Sequence, residues 1–178
     1  MSSSIQTCIF KSPVGDIILG SYKGDLCLAD WRYRKMRSQI DSRIKSYLKS
    51  DFKETNDEVL KSAQEQLEAY FSGERKSFEL PLKFCGTTFQ HKVWEALLDI
   101  PYGKTETYLG LSQKLGNVKA IRAVAAANGA NAISIIVPCH RIVGSDGSLT
   151  GYAGGLEAKR KLLQLERARL PSVHPLLF

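Results

Sequence analysis

A change of hydrophobic period partway along the chain constrains its fold more than any other feature. The first thirty residues hold three short apolar runs, "IQTCIF", "GDIILGSY" and "DLCLADW", separated by the turn signals "SPVG" and "KGD". Apolar residues alternate in places within them, as in a half-covered antiparallel sheet. After residue 86 helical stripes closed by glycine or proline dominate: "TTFQHKVWEALLDI", "YLGLSQKLG" and "NVKAIRAVAAANG". A period of two and a period of 3.6 cannot share one element. The chain is therefore expected to be α+β, with a small sheet first and helices after it.

Between these regions, Met36 to Phe52 is polar and basic, expected as a helix and a connection. "NDEVLKSAQEQLEAYFSGE" is an amphipathic helix with Val59, Ala63, Leu67 and Tyr70 on one stripe. Asn56 or Asp57 caps its start and Gly73 ends it. "KSFELPLKFCGTT" reads as an extended connector. The expected domains are 1–80, a connector at 81–85, and 86–178. In the second domain Thr87 or Thr88 caps a helix that sets Phe89, Val93, Trp94, Leu97 and Leu98 toward the core. Val118, Ile121 and Val124 are expected as a buried stripe, and "AISIIV" as a buried strand entering Pro138. "GSDGSLTGYAGG", with five glycines, is a flexible loop before a last amphipathic helix, "LEAKRKLLQLERARL".

The formal charge of +7 gathers at Arg32, Arg34, Lys35 and Arg37, and again at Lys159, Arg160 and Lys161. Such a surface suits a polyanion, although many basic proteins have no such partner. "MSSSIQTCIF" lacks the pattern of a signal peptide, and no apolar run nears the roughly 20 residues that span a membrane. The four cysteines, Cys8, Cys27, Cys85 and Cys139, form no C-x-x-C pair, so reduced thiols in an intracellular compartment are expected. A zinc site drawn from them with His91, His140 and His174 would need long-range folding, and none is expected.

Chemistry concentrates in "IIVPCHRIVGSDG". A free thiol with a pKa near about 8.5 is mostly protonated at neutral pH, so a nucleophilic Cys139 needs a base. His140 can be that base, directly or through a water, and a carboxylate such as Glu166 can orient its ring. Composition does not choose Glu166 over other acids. Taken alone, the pair reads first as a buried structural cysteine beside a surface histidine. The helix holding Lys119 and Arg122 beside Ala123 and Ala126 is slim enough for a groove, but taken alone it reads first as a helix packed tightly against a neighbour. A short helix, a glycine turn and a second helix outline a helix-turn-helix, as many helical hairpins do.

Four segments together carry a resemblance. "IIVPCHRIV" is similar to the active-site segment of the O6-alkylguanine-DNA alkyltransferases, also called methylated-DNA–protein-cysteine methyltransferases. "GTTFQHKVWEALLDIPYGKTETY", "KAIRAVAAANGAN" and "GYAGGLEAKRKLL" resemble that family in its order and spacing, from Gly86 to about Glu166. The N-terminal half resembles the family's small sheet-and-helix domain only loosely.

The resemblance implies an RNase H-like N-terminal domain and a winged helix-turn-helix domain carrying the reactive cysteine. Cys139 would accept the alkyl group of O6-alkylguanine irreversibly, once per molecule. It would do so without a cofactor or zinc, and O4-alkylthymine is a further possible substrate. His140 would act as base through a water, oriented by Glu166, and Tyr108 would donate a proton toward the departing guanine. Arg122 would enter the duplex as a finger in place of the extruded nucleotide, with Lys119, Ala123, Ala126 and Thr107 along the DNA-binding surface. Asn131 would bridge the recognition helix to the active-site strand. Tyr152, Ala153 and Lys159 fall at pocket positions, and the main-chain carbonyls of Cys139 and Ile142 would read the guanine amino group. The implied partner is double-stranded DNA, met through its minor groove by a monomer in the cytoplasm, or in the nucleus of a eukaryote.

The physical logic agrees: an alkyl carbon inside a duplex is out of reach, so the nucleotide must be flipped out. The chain departs from the mammalian-type pattern at Ala132 and Ser134, which replace prolines and are expected to loosen that loop. Ala153 replaces a serine. Thr150 replaces a glycine at the pocket rim and is expected to hinder bulky benzyl-type pseudosubstrates. A winged-helix regulator would explain the helix pair and charge but not the Cys139–His140 pair. A cysteine hydrolase would need an oxyanion hole and turnover, and no hydrolase signature surrounds Cys139.

Overall fold

The computed structural model of the chain describes residues 3–168. The three apolar runs form an antiparallel meander of β1 (Ile5–Ser12), β2 (Gly15–Tyr22) and β3 (Asp25–Trp31), with the first hairpin closing at Ser12 and Gly15. Helix α1 (Arg37–Leu48) leads to a short strand, β4 (Phe52–Glu54), which pairs parallel to β1 and completes the order β3-β2-β1-β4. Three residues are too few to show a period, so β4 is invisible in the sequence pattern. Helix α2 (Glu58–Phe71) begins at Asp57, whose side chain accepts from the Leu60 N–H. It buries the expected Val59, Ala63, Leu67 and Tyr70, together with Leu60.

In the second half, α3 (Thr88–Leu98) opens with a capping box: the Thr87 hydroxyl accepts from the Gln90 N–H, and the Gln90 side chain accepts from the Thr87 N–H. Val93, Trp94 and Leu97 are buried, but Phe89 and Leu98 are 38% and 45% exposed, contrary to expectation. At about 100° per residue these two lie roughly 90° to either side of the buried arc, at its edges. The Trp94 indole N–H donates to Ala127 O at 2.8 Å and ties α3 to a later helix.

The helix-turn-helix consists of α4 (Tyr108–Lys114) and α5 (Ile121–Gly129). Gly116 turns the chain with φ of +79°, and a 3₁₀ turn at Val118–Ala120, capped by Asn117, leads into α5. Val124, Ala127 and Asn128 form the buried face of α5, whereas Val118 and Ile121 are 51% and 37% exposed. The three-residue turn breaks the phase of a 3.6 period at Val118, and Ile121 is the first residue of α5, where the helix starts in solvent.

"AISIIV" is buried throughout but is not a strand. It makes a tight turn, with single pairings of Ala29 to Ile133 and Ser134 to Val137. Ile135 holds φ of +72°, a conformation that β-branched residues rarely adopt. Ser134 N–H donates to Ala29 O at 2.6 Å and the Ser134 hydroxyl to Asp30 Oδ1 at 3.3 Å. Ala132 and Ser134 therefore pin this loop to β3 rather than loosen it.

Two-residue strands β5 (Glu106–Thr107) and β6 (Ile142–Val143) pair in parallel, and α6 (Leu156–Leu165) closes the described chain. The main core crosses both halves, joining Trp31, Leu67 and Tyr70 to Val93, Trp94, Val137 and Leu162. Among the described residues, no helix is long and apolar enough to cross a membrane.

Candidate active site

The fold brings segments from both halves of the chain to one cavity of about 690 Å³. Cys139 opens a 3₁₀ turn after Pro138 and is 4% exposed where it lines the cavity. The turn runs into β6, whose pairing with β5 sets Tyr108, the next residue after β5, on the same wall. Asn131, Tyr152 and Ala153 complete the C-terminal lining, whereas His140, Ile142 and Lys159 are fully buried behind it. The sequence shows no chemistry in the N-terminal half, yet Trp31 and Arg34 line the cavity. The Trp31 ring meets Tyr152 edge-on at 5.9 Å. A side chain at Gly154 would collide with the Trp31 indole, so only glycine lets the loop approach so closely.

Burial pushes the Cys139 thiol above its ordinary value, and the negative charge of Asp30 adds to this. The Asn131 amide donates to Sγ at 3.2 Å and works the other way, as do Lys159 and Arg34. The resting group is therefore a thiol, and its reaction needs a base. Asn131 also donates to Val137 O at 3.0 Å and accepts from the Ile133 N–H at 3.0 Å, which fixes the chain on both sides of the tight turn.

His140 has no exposed surface, and burial holds its pKa below the ordinary imidazole value, against the pull of Glu166. The ring is thus neutral at pH 7. Burial alone would raise the Glu166 pKa, but hydrogen bonds from His140 and Arg141 and the charge of Arg141 outweigh it and lower the group to about 2. Oε1 of this carboxylate accepts from Tyr70 Oη at 2.7 Å, His140 Nε2 at 2.7 Å and Arg141 Nη2 at 3.0 Å, while Oε2 accepts from Arg141 Nε at 2.9 Å. An ionised carboxylate only accepts, so Nε2 must carry the imidazole proton. The lone pair then sits on Nδ1, which is buried and has no hydrogen-bond partner among the described residues. Arg141 also donates to Ile100 O at 2.6 Å, which anchors the turn that carries Cys139.

The basic clusters differ from their sequence reading. Arg34 and Arg37 turn inward onto Asp30 at 2.9 and 3.1 Å, Arg37 also reaches Asp41, and Arg32 lies 3.5 Å from Asp16. Arg34 further donates to the carbonyls of Asn131 and Gly129, joining the sheet domain to the end of α5. In the second cluster Lys159 is buried, with Nζ 2.8 Å from Thr150 O, and burial lowers its pKa to about 8 against the opposing pull of Cys139. Arg160 and Lys161 face Glu157. On the helix-turn-helix, Lys119, Arg122, Ala123 and Ala126 all reach solvent. Thr107 is half-buried and caps α4, accepting from the Gly110 N–H at 2.9 Å. The Cys139 carbonyl already accepts the Ile142 N–H. Among the described residues no group of three or more His, Cys, Asp or Glu side chains is placed to hold a metal. His174 lies outside the described residues.

Residues 7–84 match the family model described as 6-O-methylguanine DNA methyltransferase, ribonuclease-like domain, and residues 88–168 match the DNA binding domain of the same description. A methylated-DNA–protein-cysteine methyltransferase of Methanosarcina acetivorans is 46% identical over 159 residues, covering 89% of this chain and 96% of the relative. The chain belongs to the methylated-DNA–protein-cysteine methyltransferase family. A crystal structure of the Mycobacterium tuberculosis O6-methylguanine methyltransferase matches with a TM-score of 0.74 and 38% identity over 96% of both chains. A structure of M. tuberculosis OGT in complex with DNA matches at 0.76, again with 38% identity, over 92% of both.

Within this family member, sequence reasoning missed Tyr70, Arg141, Asp30 and Trp31 as parts of the site. Tyr70 reads as one more apolar-stripe residue of α2, and Trp31 as the end of a strand. Arg141 stands in the quoted motif, so adjacency to His140 was its one available signal. Asp30 gives none, because an acid at a strand end is ordinarily a surface residue.

Proposed function

We propose that the protein repairs DNA by direct reversal, taking the alkyl group of O6-alkylguanine onto Cys139 in a single, irreversible, cofactor-independent transfer. The carrying observation is a buried thiol in a cavity with a neutral, carboxylate-oriented imidazole behind it. His140 Nδ1 accepts the thiol proton through one water, since Asn131 is the thiol's hydrogen-bond partner. The thiolate attacks the alkyl carbon, an S–C bond forms, and the C–O6 bond breaks with its electron pair passing to the base. Tyr108 supplies a proton to the departing guanine, and solvent returns the proton held by His140 to the phenolate. Each chain is consumed, so His140 acts once.

The lesion reaches the cavity by nucleotide flipping, which costs a few kcal/mol. Arg122, exposed on α5, enters the minor groove and takes the vacated place, while Ala123 and Ala126 keep the helix slim and Lys119 and Thr107 meet phosphate. The carbonyls of Cys139 and Ile142 read the base. We place the division of the chain at 81–85 and regard the active species as a monomer.

Intact mass after incubation with duplex DNA containing O6-methylguanine tests the reading. The expected result is one methyl per chain, absent in Cys139→Ser; an unchanged mass in the wild type would overturn it. The finger is tested separately. Arg122→Ala should slow transfer from duplex by about 10- to 100-fold, roughly the cost of unaided flipping, and leave reaction with a free base analogue near wild type. Equal losses on both substrates would remove that role.

A further inference from the structure

The mechanism leaves one polar side chain beside the proton donor without a task. Thr150 lies on the glycine-rich loop between β6 and α6, exposed to solvent, and its hydroxyl donates to the Tyr108 phenol oxygen at 3.1 Å. Its main chain is held as well, because Nζ of the fully buried Lys159 donates to Thr150 O at 2.8 Å. An exposed threonine between flexible glycines would otherwise sample several rotamers. Here α6 anchors the backbone beneath it, and α4 receives its hydroxyl.

The chemistry of a phenol gives this contact a consequence. Tyr108 has one proton and an oxygen able to accept. With Thr150 donating to that oxygen, the phenol proton is left for the base in the cavity. As the proton leaves, the oxygen takes on phenolate character, and a hydrogen bond to a charged oxygen is roughly twice as strong as one to a neutral oxygen. The contact therefore strengthens in the transition state, the condition for raising a rate rather than only tightening binding.

We propose that Thr150 is a positioning residue for proton delivery, its hydroxyl orienting the Tyr108 O–H and stabilising the phenolate-like oxygen as the C–O6 bond breaks. This rests on the reading of Tyr108 as the proton donor. In the balanced step the thiolate forms the S–C bond, the C–O6 electron pair goes to the guanine, and the phenol proton moves to the same base. Thr150 keeps its own proton throughout. The demand on Thr150 scales with the basicity of the leaving base.

Single-turnover rates on O6-methylguanine duplex for wild type, Thr150→Val, Thr150→Ser, Tyr108→Phe and the Tyr108→Phe/Thr150→Val pair test the proposal. Thr150→Val, of equal size, should be slower by about tenfold, Thr150→Ser should stay near wild type, and Thr150→Val should add nothing in the Tyr108→Phe background. The Thr150→Val penalty should also shrink when free O6-benzylguanine is replaced by its 8-bromo analogue, a better leaving group. Melting curves confirm that each variant is folded. Wild-type speed in Thr150→Val alongside a slow Tyr108→Phe overturns the inference alone, and wild-type speed in Tyr108→Phe overturns the donor reading with it. A Thr150→Val penalty that persists in the Tyr108→Phe background, or that is equal for both leaving groups, shows a structural loop effect and also overturns the inference.

Discussion

Two carboxylates are buried beside the active-site cavity, each held by arginine, and they act in different ways. Asp30, at the end of β3, takes Arg34 and Arg37 on Oδ2 and the Ser134 hydroxyl on Oδ1. Glu166, at the end of α6, takes Arg141, Tyr70 and His140. The partners of Asp30 are permanent cations and a hydroxyl, so its charge holds the tight turn and α5 against the sheet and acts on Cys139 only through space. One partner of Glu166 is an imidazole adjacent in sequence to the nucleophile. A buried carboxylate enters the chemistry only when something it touches can change protonation state.

The largest test of this contrast is Glu166→Gln. Without the charge that stabilises a protonated His140, transfer at pH 7 should fall by about 100-fold, and the apparent pKa of Cys139 reactivity should rise. A thiol titration unchanged by the substitution would refute the coupling. Asp30→Asn should behave in the opposite sense. It leaves Arg34 and Arg37 facing a neutral amide, so chemical denaturation should show a loss of about 3 kcal/mol. Because Asp30 raises the Cys139 pKa, its neutralisation should lower the apparent thiol value. A parallel upward shift in both variants would break the comparison.

Acid titration sharpens it next. Glu166 is depressed to about 2 in the folded state, below the roughly 4.3 of an unfolded glutamate. Its contribution, on the order of 3 kcal/mol, is therefore fully present above about pH 4.3 and is lost as pH falls toward about 2. Stability curves over that window should be flatter for Glu166→Gln than for wild type. The His140 pKa is also depressed, by burial, so the acid limb of the transfer rate should lie below pH 6.5. A limb above that value would show an imidazole that is charged at rest.

The smallest effects come from the hydroxyl on each carboxylate. Tyr70→Phe and Ser134→Ala each remove one donor and should each cost about 1 kcal/mol in melting or denaturant experiments. Only Tyr70→Phe should also shift the pH profile of transfer, because only its carboxylate touches the base.

Much of this site is legible in the sequence, for reasons that differ by residue. Cys139, His140 and Arg141 are contiguous, and the resemblance of four ordered segments supplied roles for Tyr108, Arg122 and Asn131. The α2 stripe and the Thr87 cap follow from local rules and stand in the structure. Val118 and Ile121 misled because a 3₁₀ turn leaves no trace in hydrophobic order. Lys159 and Arg34 misled because a basic residue in a run looks solvated until a buried carbonyl or carboxylate is found opposite it. Tyr70 and Trp31 were unreadable as site residues, since their partners lie 96 and 121 positions away along the chain.

The sequence by itself determined the order of sheet and helices and the adjacency of Cys139 and His140, because these depend on periodicity and on the order of the chain. The tertiary structure alone decided which charges face inward, which imidazole nitrogen holds the lone pair, and that the N-terminal domain lines the cavity. Those outcomes depend on burial and on distances between remote segments. Low dielectric surroundings magnify both effects, and neither is encoded in any local stretch.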